Sequence, residues 1–96
     1  MSPALRTFAA MYELTLTRQA QLFYEQAATS LVRRLNRCFE QLRQNPHEHP
    51  NIKRLKGPLQ GYFRYRVGDW RVVYEIDEGK RVVTVLLIVQ RSSAYR

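Results

Sequence analysis

Three arginines lie close together at positions 64, 66 and 71, on either side of Gly68-Asp69. Arginine is permanently charged, and its planar fork of donors matches the oxygens of a phosphate. The flanking runs, Tyr62-Phe-Arg-Tyr-Arg-Val67 and Trp70-Arg-Val-Val-Tyr74, interleave those arginines with aromatic and β-branched residues. A Gly-Asp pair between such runs is a strong hairpin signal, because two-residue turns need positive φ and glycine supplies it. With a two-residue loop, Val67 faces Trp70, Arg66 faces Arg71, Tyr65 faces Val72, Arg64 faces Val73 and Phe63 faces Tyr74. Side chains alternate across a strand. One face is then core: Phe63, Tyr65, Val67, Trp70, Val72 and Tyr74. The other face presents Arg64, Arg66 and Arg71. Like charges directly opposite each other destabilise a sheet. The cluster therefore points to an anion, most simply phosphate, and to stabilisation of charge building on phosphorus. A solvated hairpin face is the ordinary explanation of a charge run. Three arginines meeting across two strands move the reading toward function.

The bulk charge agrees with a polyanionic partner. The 96 residues carry 16 Lys/Arg and 8 Asp/Glu, for a net charge of +8. Such an excess suits nucleic acid, an acidic protein or an anionic membrane surface. It is concentrated near the hairpin, where Lys53, Arg54 and Lys56 precede the arginine cluster. Those three read as diffuse attraction for a nucleic-acid backbone rather than as chemistry. Tyr62 is the one hairpin aromatic that shares the arginine face by parity, and it is a candidate to stack on a base.

Other chemistries find little support. There is no Gly-rich phosphate loop followed by Lys-Ser/Thr, no zinc spacing and no nucleophile elbow. His47 and His49 lie two apart in a polar loop without further His or Cys partners, so a metal site there is not expected. Asp69, Glu75, Asp77 and Glu78 fall near turns or strand ends, a poor basis for a two-metal nuclease. Cleavage of a phosphodiester is thus expected without metal, and no cofactor is expected. Cys38 is the single cysteine, so no internal disulfide can form, which fits a reducing cytoplasm. It sits on an apolar helical stripe and reads as core. No apolar run approaches the roughly 18 residues of a membrane span.

The elements that position the cluster follow from periodicity. Met11 to Thr17 alternates and reads as a strand. Thr17 can cap a helix beginning at Arg18, with Ala20, Phe23, Tyr24 and Ala27 on one stripe. Thr29-Ser30 reads as a break and new cap. A second helix follows with Leu31, Leu35, Cys38, Phe39 and Leu42 on one face and Arg33, Arg34, Arg37 and Arg43 on the other. It ends by Asn45, since the residue before Pro46 is pushed out of the α region. Residues 52–61 read as a basic surface connection. After the hairpin and a turn around Glu78-Gly79, Arg81 to Val89 forms a last strand. Its run of apolar residues predicts a central strand covered on both faces. The predicted fold is α+β, in the order β-α-α-β-β-β. It comprises a small, mainly antiparallel four-stranded sheet with two N-terminal helices packed on one face. The arginines occupy the other, open face. Residues 1–10 read as a loosely ordered leader and 11–96 as a single domain, with Met11 a possible alternative start.

These residues resemble a known family. Leu55-Lys-Gly57, the run from Gly61 through Arg64-Tyr-Arg-Val-Gly-Asp-Trp-Arg71 to Tyr74, then Val89-Gln-Arg91 and Tyr95-Arg96, are similar to the RelE/ParE toxin superfamily of bacterial toxin–antitoxin systems. The element order and length agree. RelE-like members are ribosome-dependent mRNA endonucleases, whereas ParE-like members poison DNA gyrase without a catalytic cluster. The resemblance implies a site of two basic residues on one strand, an arginine on the next, an arginine after the last strand and a tyrosine near the C-terminus. The matching positions are Arg64 and Arg66, Arg71, Arg91, and Tyr95. Their occupancy favours the nuclease branch. The family's strand positions are often lysine, which can lose a proton, and many relatives carry His where Gln90 stands. Gyrase inhibition and an inactive relic that only binds its antitoxin remain the alternatives. All three imply a small acidic antitoxin as partner. The nuclease branch adds the ribosome and mRNA.

Overall fold

In the computed structural model, residues 11–93 are described. The leader at 1–10 and Tyr95 lie outside them. Strand β1 (Glu13–Leu16) is followed by helix α1 (Arg18–Gln26) and helix α2 (Thr29–Gln44). Strands β2 (Ile52–Arg54), β3 (Phe63–Val67), β4 (Trp70–Asp77) and β5 (Val82–Gln90) complete one five-stranded sheet, ordered β1-β5-β4-β3-β2. β1 runs parallel to β5 and the remaining pairs are antiparallel. The expected α+β class and element order hold, with one strand more than the four predicted. The additional strand is β2, read from the sequence as a connection. It has three residues, two of them exposed cations, and so shows no periodicity. Short, charged edge strands of this kind keep a sheet from pairing with other chains.

Both helices cover one face. Thr17 caps α1: its Oγ1 accepts from the Ala20 N–H at 3.3 Å and donates to the Leu86 carbonyl at 2.6 Å. The break between helices lies at Ala27 and Ala28, both extended, so Thr29 and Ser30 fall inside the first turn of α2 rather than capping it. α2 buries Leu35, Cys38 and Leu42 against Tyr65, Val72, Tyr74, Val83, Val85 and Ile88. Burial pushes the Cys38 thiol far above its ordinary pKa, which makes it an inert core residue. The Tyr74 hydroxyl, wholly buried, donates to the Pro46 carbonyl at 2.7 Å and closes the chain after α2.

One expectation about β5 is corrected. The strand is interior to the sheet but is not covered on both faces, and Leu87 is 37% exposed. The cause is a β-bulge. Val73 pairs with Leu87 while Tyr74 pairs with Val85, so Leu86 has no partner on β4. An inserted residue reverses the parity of everything after it. Val83 and Val85 face the helices before the bulge, and Ile88 does so after it; Leu87 is turned to the open side. Thr17 secures this irregularity, because its backbone N–H donates to the Val85 carbonyl and its hydroxyl to that of Leu86.

A polar network holds the far end of the sheet. Glu78 accepts from the Tyr12 hydroxyl at 2.9 Å and pairs with His47 Nε2 at 2.5 Å, while Arg81 lies over the Tyr12 ring at 4.4 Å. The hydrogen bonds from Tyr12 and then His47 hold the Glu78 carboxyl below its usual range.

Two outcomes follow. Thr17→Val removes a cap and leaves the bulge carbonyl short of a donor, so it should lower stability by about 1–2 kcal/mol in urea unfolding. Glu78 has a depressed folded pKa, so its contribution is present above the ordinary glutamate pKa of about 4.3 and is lost as pH falls through the folded value. Glu78→Gln should therefore lower the Tm at neutral pH while flattening its acid decline, read from melting curves across pH 3 to 7.

Candidate functional site

The hairpin forms in the expected register. Phe63 pairs with Tyr74, Arg64 with Val73, Tyr65 with Val72, Arg66 with Arg71 and Val67 with Trp70. Gly68 takes φ +59 in the turn. Adding the neighbouring strands lays out the open face in two rows. Lys53, Arg64, Val73 and Leu87 stand across the sheet in one, and Arg66, Arg71 and Val89 in the next. Directly opposed residues have Cα atoms about 4.5–5.5 Å apart, and side chains of adjacent rows remain within reach of one another. Four cations thus share one small patch, among the apolar side chains Val73, Leu87 and Val89.

The four cations are held differently. Arg71 is only 7% exposed, and its Nη1 donates to the Gly68 carbonyl at 2.9 Å and the Trp70 carbonyl at 3.0 Å. Arg64 is half-buried, and its Nη1 donates to the Asn51 carbonyl at 2.7 Å. Each guanidinium is thereby fixed by its own backbone contacts before any ligand arrives. Arg66 and Lys53 are exposed. Among the described residues no carboxylate lies within 4 Å of Lys53, Arg64 or Arg66; the ion pairs found there involve His47, Glu78 and Arg81.

Arg91 opens a short 3-10 turn, Arg91–Ser93, directly after β5, and its backbone N–H donates to the Asp69 carbonyl at 2.8 Å. This bond brings Arg91 to the hairpin tip, beside the rows that carry Arg66 and Arg71. A cavity of about 430 Å³ opens there, lined by Asp69, Gln90, Arg91 and Ser92. The sequence offered Asp69 as a turn residue only. Its role as the acceptor that ties Arg91 down belongs to its backbone, which no side-chain pattern reports.

The weaker candidates divide. Lys53 joins the arginine face. Arg54, one residue on, has the opposite parity, and its guanidinium lies over the Phe63 ring at 5.6 Å on the helix-covered side. Lys56 is exposed at the start of the 3-10 turn Gly57–Leu59, and Tyr62 is half-buried where the chain re-enters β3. His47 is engaged by Glu78, and His49 stacks on Tyr65 at 5.2 Å with its Nδ1 accepting from the Asn51 N–H. Among the described residues no three His, Cys, Asp or Glu side chains gather as a metal set, and no helix is long and apolar enough to cross a membrane.

The same architecture occurs in proteins already known. Residues 8–95 match the family model of the ParE toxin of type II toxin–antitoxin systems. A curated relative, the toxin RelE of Mycobacterium tuberculosis, is 38% identical over 82 residues, which cover 85% of this chain and 79% of the relative. The archaeal RelE–RelB complex from Pyrococcus horikoshii OT3 gives a TM-score of 0.75 at 22% identity, over 88% of this chain and 99% of that one. The toxin–antitoxin complex RelBE2 of Mycobacterium tuberculosis gives 0.71 at 25% identity, over 83% and 98%. The YoeB/ParE toxin from Agrobacterium tumefaciens gives 0.74 at 20% identity, over 81% and 96%. With a family model spanning nearly its whole length and a curated toxin as relative, this chain belongs to the ParE toxin family of type II toxin–antitoxin systems and is a RelE-like toxin.

Proposed function

We propose that this toxin is an endoribonuclease that cuts mRNA on the ribosome, using the arginine face of the sheet as its active site. The observation that carries the reading is the register of β2, β3 and β4. It sets Lys53, Arg64, Arg66 and Arg71 on one open face, with Arg91 bound to the adjoining hairpin tip. The relative named RelE supports the choice of branch.

In the proposed reaction the ribose 2′-oxygen attacks the adjacent phosphorus. The O2′–P bond forms, the P–O5′ bond breaks, and the products are a 2′,3′-cyclic phosphate and a 5′-hydroxyl. The 2′-hydroxyl proton passes to a base, and the departing O5′ takes up a proton. Two negative oxygens develop on phosphorus in between, where fixed guanidinium donors stabilise them more than they stabilise the ground state. Arg71 and Arg91 are assigned to those oxygens. Arg64 and Arg66 position the backbone and stabilise the leaving oxygen. Tyr95 orients or deprotonates the nucleophile. Lys53, Lys56 and Tyr62 hold flanking RNA, while Arg54 contributes only to the surrounding field. The supply of donors, with no acid cluster gathered among the described residues, favours chemistry that uses no metal. The positive surface suits ribosomal RNA. An acidic antitoxin, in the manner of the RelE–RelB complex from Pyrococcus horikoshii, is the expected partner in the cytoplasm.

The family match carries the name ParE, and that keeps gyrase inhibition as the rival. A reconstituted translation reaction, with message ends mapped by primer extension, separates the two. Arg71→Ala and Arg71→Lys should each cut at least about 100-fold more slowly, because removing one transition-state donor costs about two to three powers of ten. Lysine keeps the charge but loses the fork. Both variants should keep the wild-type circular dichroism spectrum. A message carrying a 2′-deoxynucleotide at the cut should stay intact. Retained toxicity of folded Arg71→Ala, with covalent gyrase–DNA complexes accumulating in cells, would overturn the nuclease assignment.

A further inference from the structure

A second group of arginines meets at the seam between α2 and the edge of the sheet. A cavity of about 330 Å³ there is lined by Arg34 and Arg37 from α2, by Arg66 of β3, and by His49, Asn51 and Gly68. No carboxylate among the described residues lies within 4 Å of any of the three guanidiniums. Gly68 explains how Arg34 reaches this place. A Cβ on Gly68 would run into the Arg34 guanidinium, with Cζ at 3.2 Å and Nη1 at 3.3 Å. The missing side chain therefore seats the Arg34 fork on the hairpin tip. Arg37 follows Arg34 by three residues and so shares its helix face. Three like charges converging on one concavity repel, and an anion relieves that repulsion. Arg66 belongs to this cavity and also to the row that contains Arg71.

We propose that this cavity is a second phosphate site, which holds a backbone phosphodiester of single-stranded RNA flanking the scissile one. It rests on the nuclease reading for the identity of the strand. The path is continuous: a strand leaving the arginine face past Arg66 turns over the edge of β3 beyond the end of β2 and meets Arg34 and Arg37. That continuity favours nucleic acid over a protein carboxylate, for which the cavity could stand alone. The site gives the toxin a hold on sugar–phosphate that carries no base information, so it fixes register rather than sequence.

The test is fluorescence anisotropy of the purified toxin with a short, labelled 2′-O-methyl RNA, which cannot be cleaved, across a salt series. Arg34→Gln/Arg37→Gln should bind at least about tenfold more weakly, and its plot of log affinity against log salt should be shallower by about 0.7 for the one phosphate released. Arg34→Lys/Arg37→Lys should also weaken binding several-fold, since charge persists but the fork is lost. Arg33→Gln/Arg43→Gln removes the same charge from α2 outside the cavity and should leave the affinity within about threefold. Equal losses in the two glutamine pairs would show a diffuse field and overturn the proposal. So would unchanged RNA affinity accompanied by weaker binding of a Glu-rich peptide. A wild type that cuts no message on ribosomes yet shows the expected pattern upholds the phosphate site and sinks the nuclease reading alone.

Discussion

Arg66 and Arg71 stand directly opposite each other across β3 and β4, and the site depends on how that repulsion is relieved. Two unit charges about 5 Å apart repel by roughly 3 kcal/mol at an effective dielectric near 20. Arg71 escapes by folding onto its own turn, where the Gly68 and Trp70 carbonyls face its guanidinium. Carbonyl dipoles offset part of the charge, and the side chain becomes almost fully enclosed. Arg66 is left exposed. The turn is the agent here, because the carbonyl that receives Arg71 belongs to Gly68, whose positive φ sets the register in the first place. Any shift of the turn by one residue would move Arg71 to the helix-covered face and dissolve the cluster.

A cluster of this kind is useful only if it cannot rearrange. Electrostatic stabilisation works when donors are fixed before the charge develops. The platform beneath the arginines meets that need. Tyr74, Val72 and Ile88 lie under β4 and β5 with almost no exposed surface, packed on Leu35, Cys38 and Leu42. Phe23 meets Trp70 edge to face at 4.9 Å, which ties α1 to the first residue after the turn. The bulge at Leu86 and the Thr17 hydroxyl that donates to its carbonyl set where β5 changes parity, and so which residue of β5 lies beside Arg71. Loop closure at the tip is completed by the Arg91 N–H on the Asp69 carbonyl.

The legible parts of this structure are those in which polar and apolar residues alternate. In β3 the sequence Phe-Arg-Tyr-Arg-Val allows one parity only, and the hairpin register could be read residue by residue. The helices were equally plain, since Leu35, Cys38 and Leu42 mark one stripe. β5 was not. In Val-Val-Thr-Val-Leu-Leu-Ile-Val both parities look alike, so neither the bulge nor the exposed face of Leu87 leaves a trace in composition. β2 is too short for any period, and its partner Tyr65 lies outside its own run. The pairing of Lys53 with the arginines, and the separation of Arg54 from them, therefore came only with the register. Arg91 at the hairpin tip depends on a backbone bond. The Arg34 cavity depends on a glycine that the sequence already accounted for as a turn residue.

The arginines leave the proton of the proposed nucleophile unassigned, and the tyrosines narrow its destination. A guanidinium with pKa above about 12 does not accept a proton near neutral pH. Burial raises the hydroxyls of Tyr65 and Tyr74, so neither serves as a base, and Tyr74 is committed to Pro46. Tyr12 is raised by burial and by its bond to Glu78, in the network with His47 and Arg81 at the other end of the sheet. Tyr24 donates to Asn36 on the helices. His49 is stacked on Tyr65 and accepts an amide proton at Nδ1. Among the tyrosines, the proposed mechanism is thus left with Tyr62, on the approach to β3, and Tyr95, four residues beyond Arg91 in sequence. A tyrosine lowered by neighbouring cations suits the task, because each guanidinium nearby favours the phenolate. In sequence, Arg91 and Arg96 are the cations that flank Tyr95, and Arg91 is held at the tip by the Asp69 carbonyl. The bond from the Arg91 N–H to the Asp69 carbonyl thus holds the Arg91–Ser93 turn on the hairpin tip, beside the face to which the proposed mechanism assigns the developing phosphate charge.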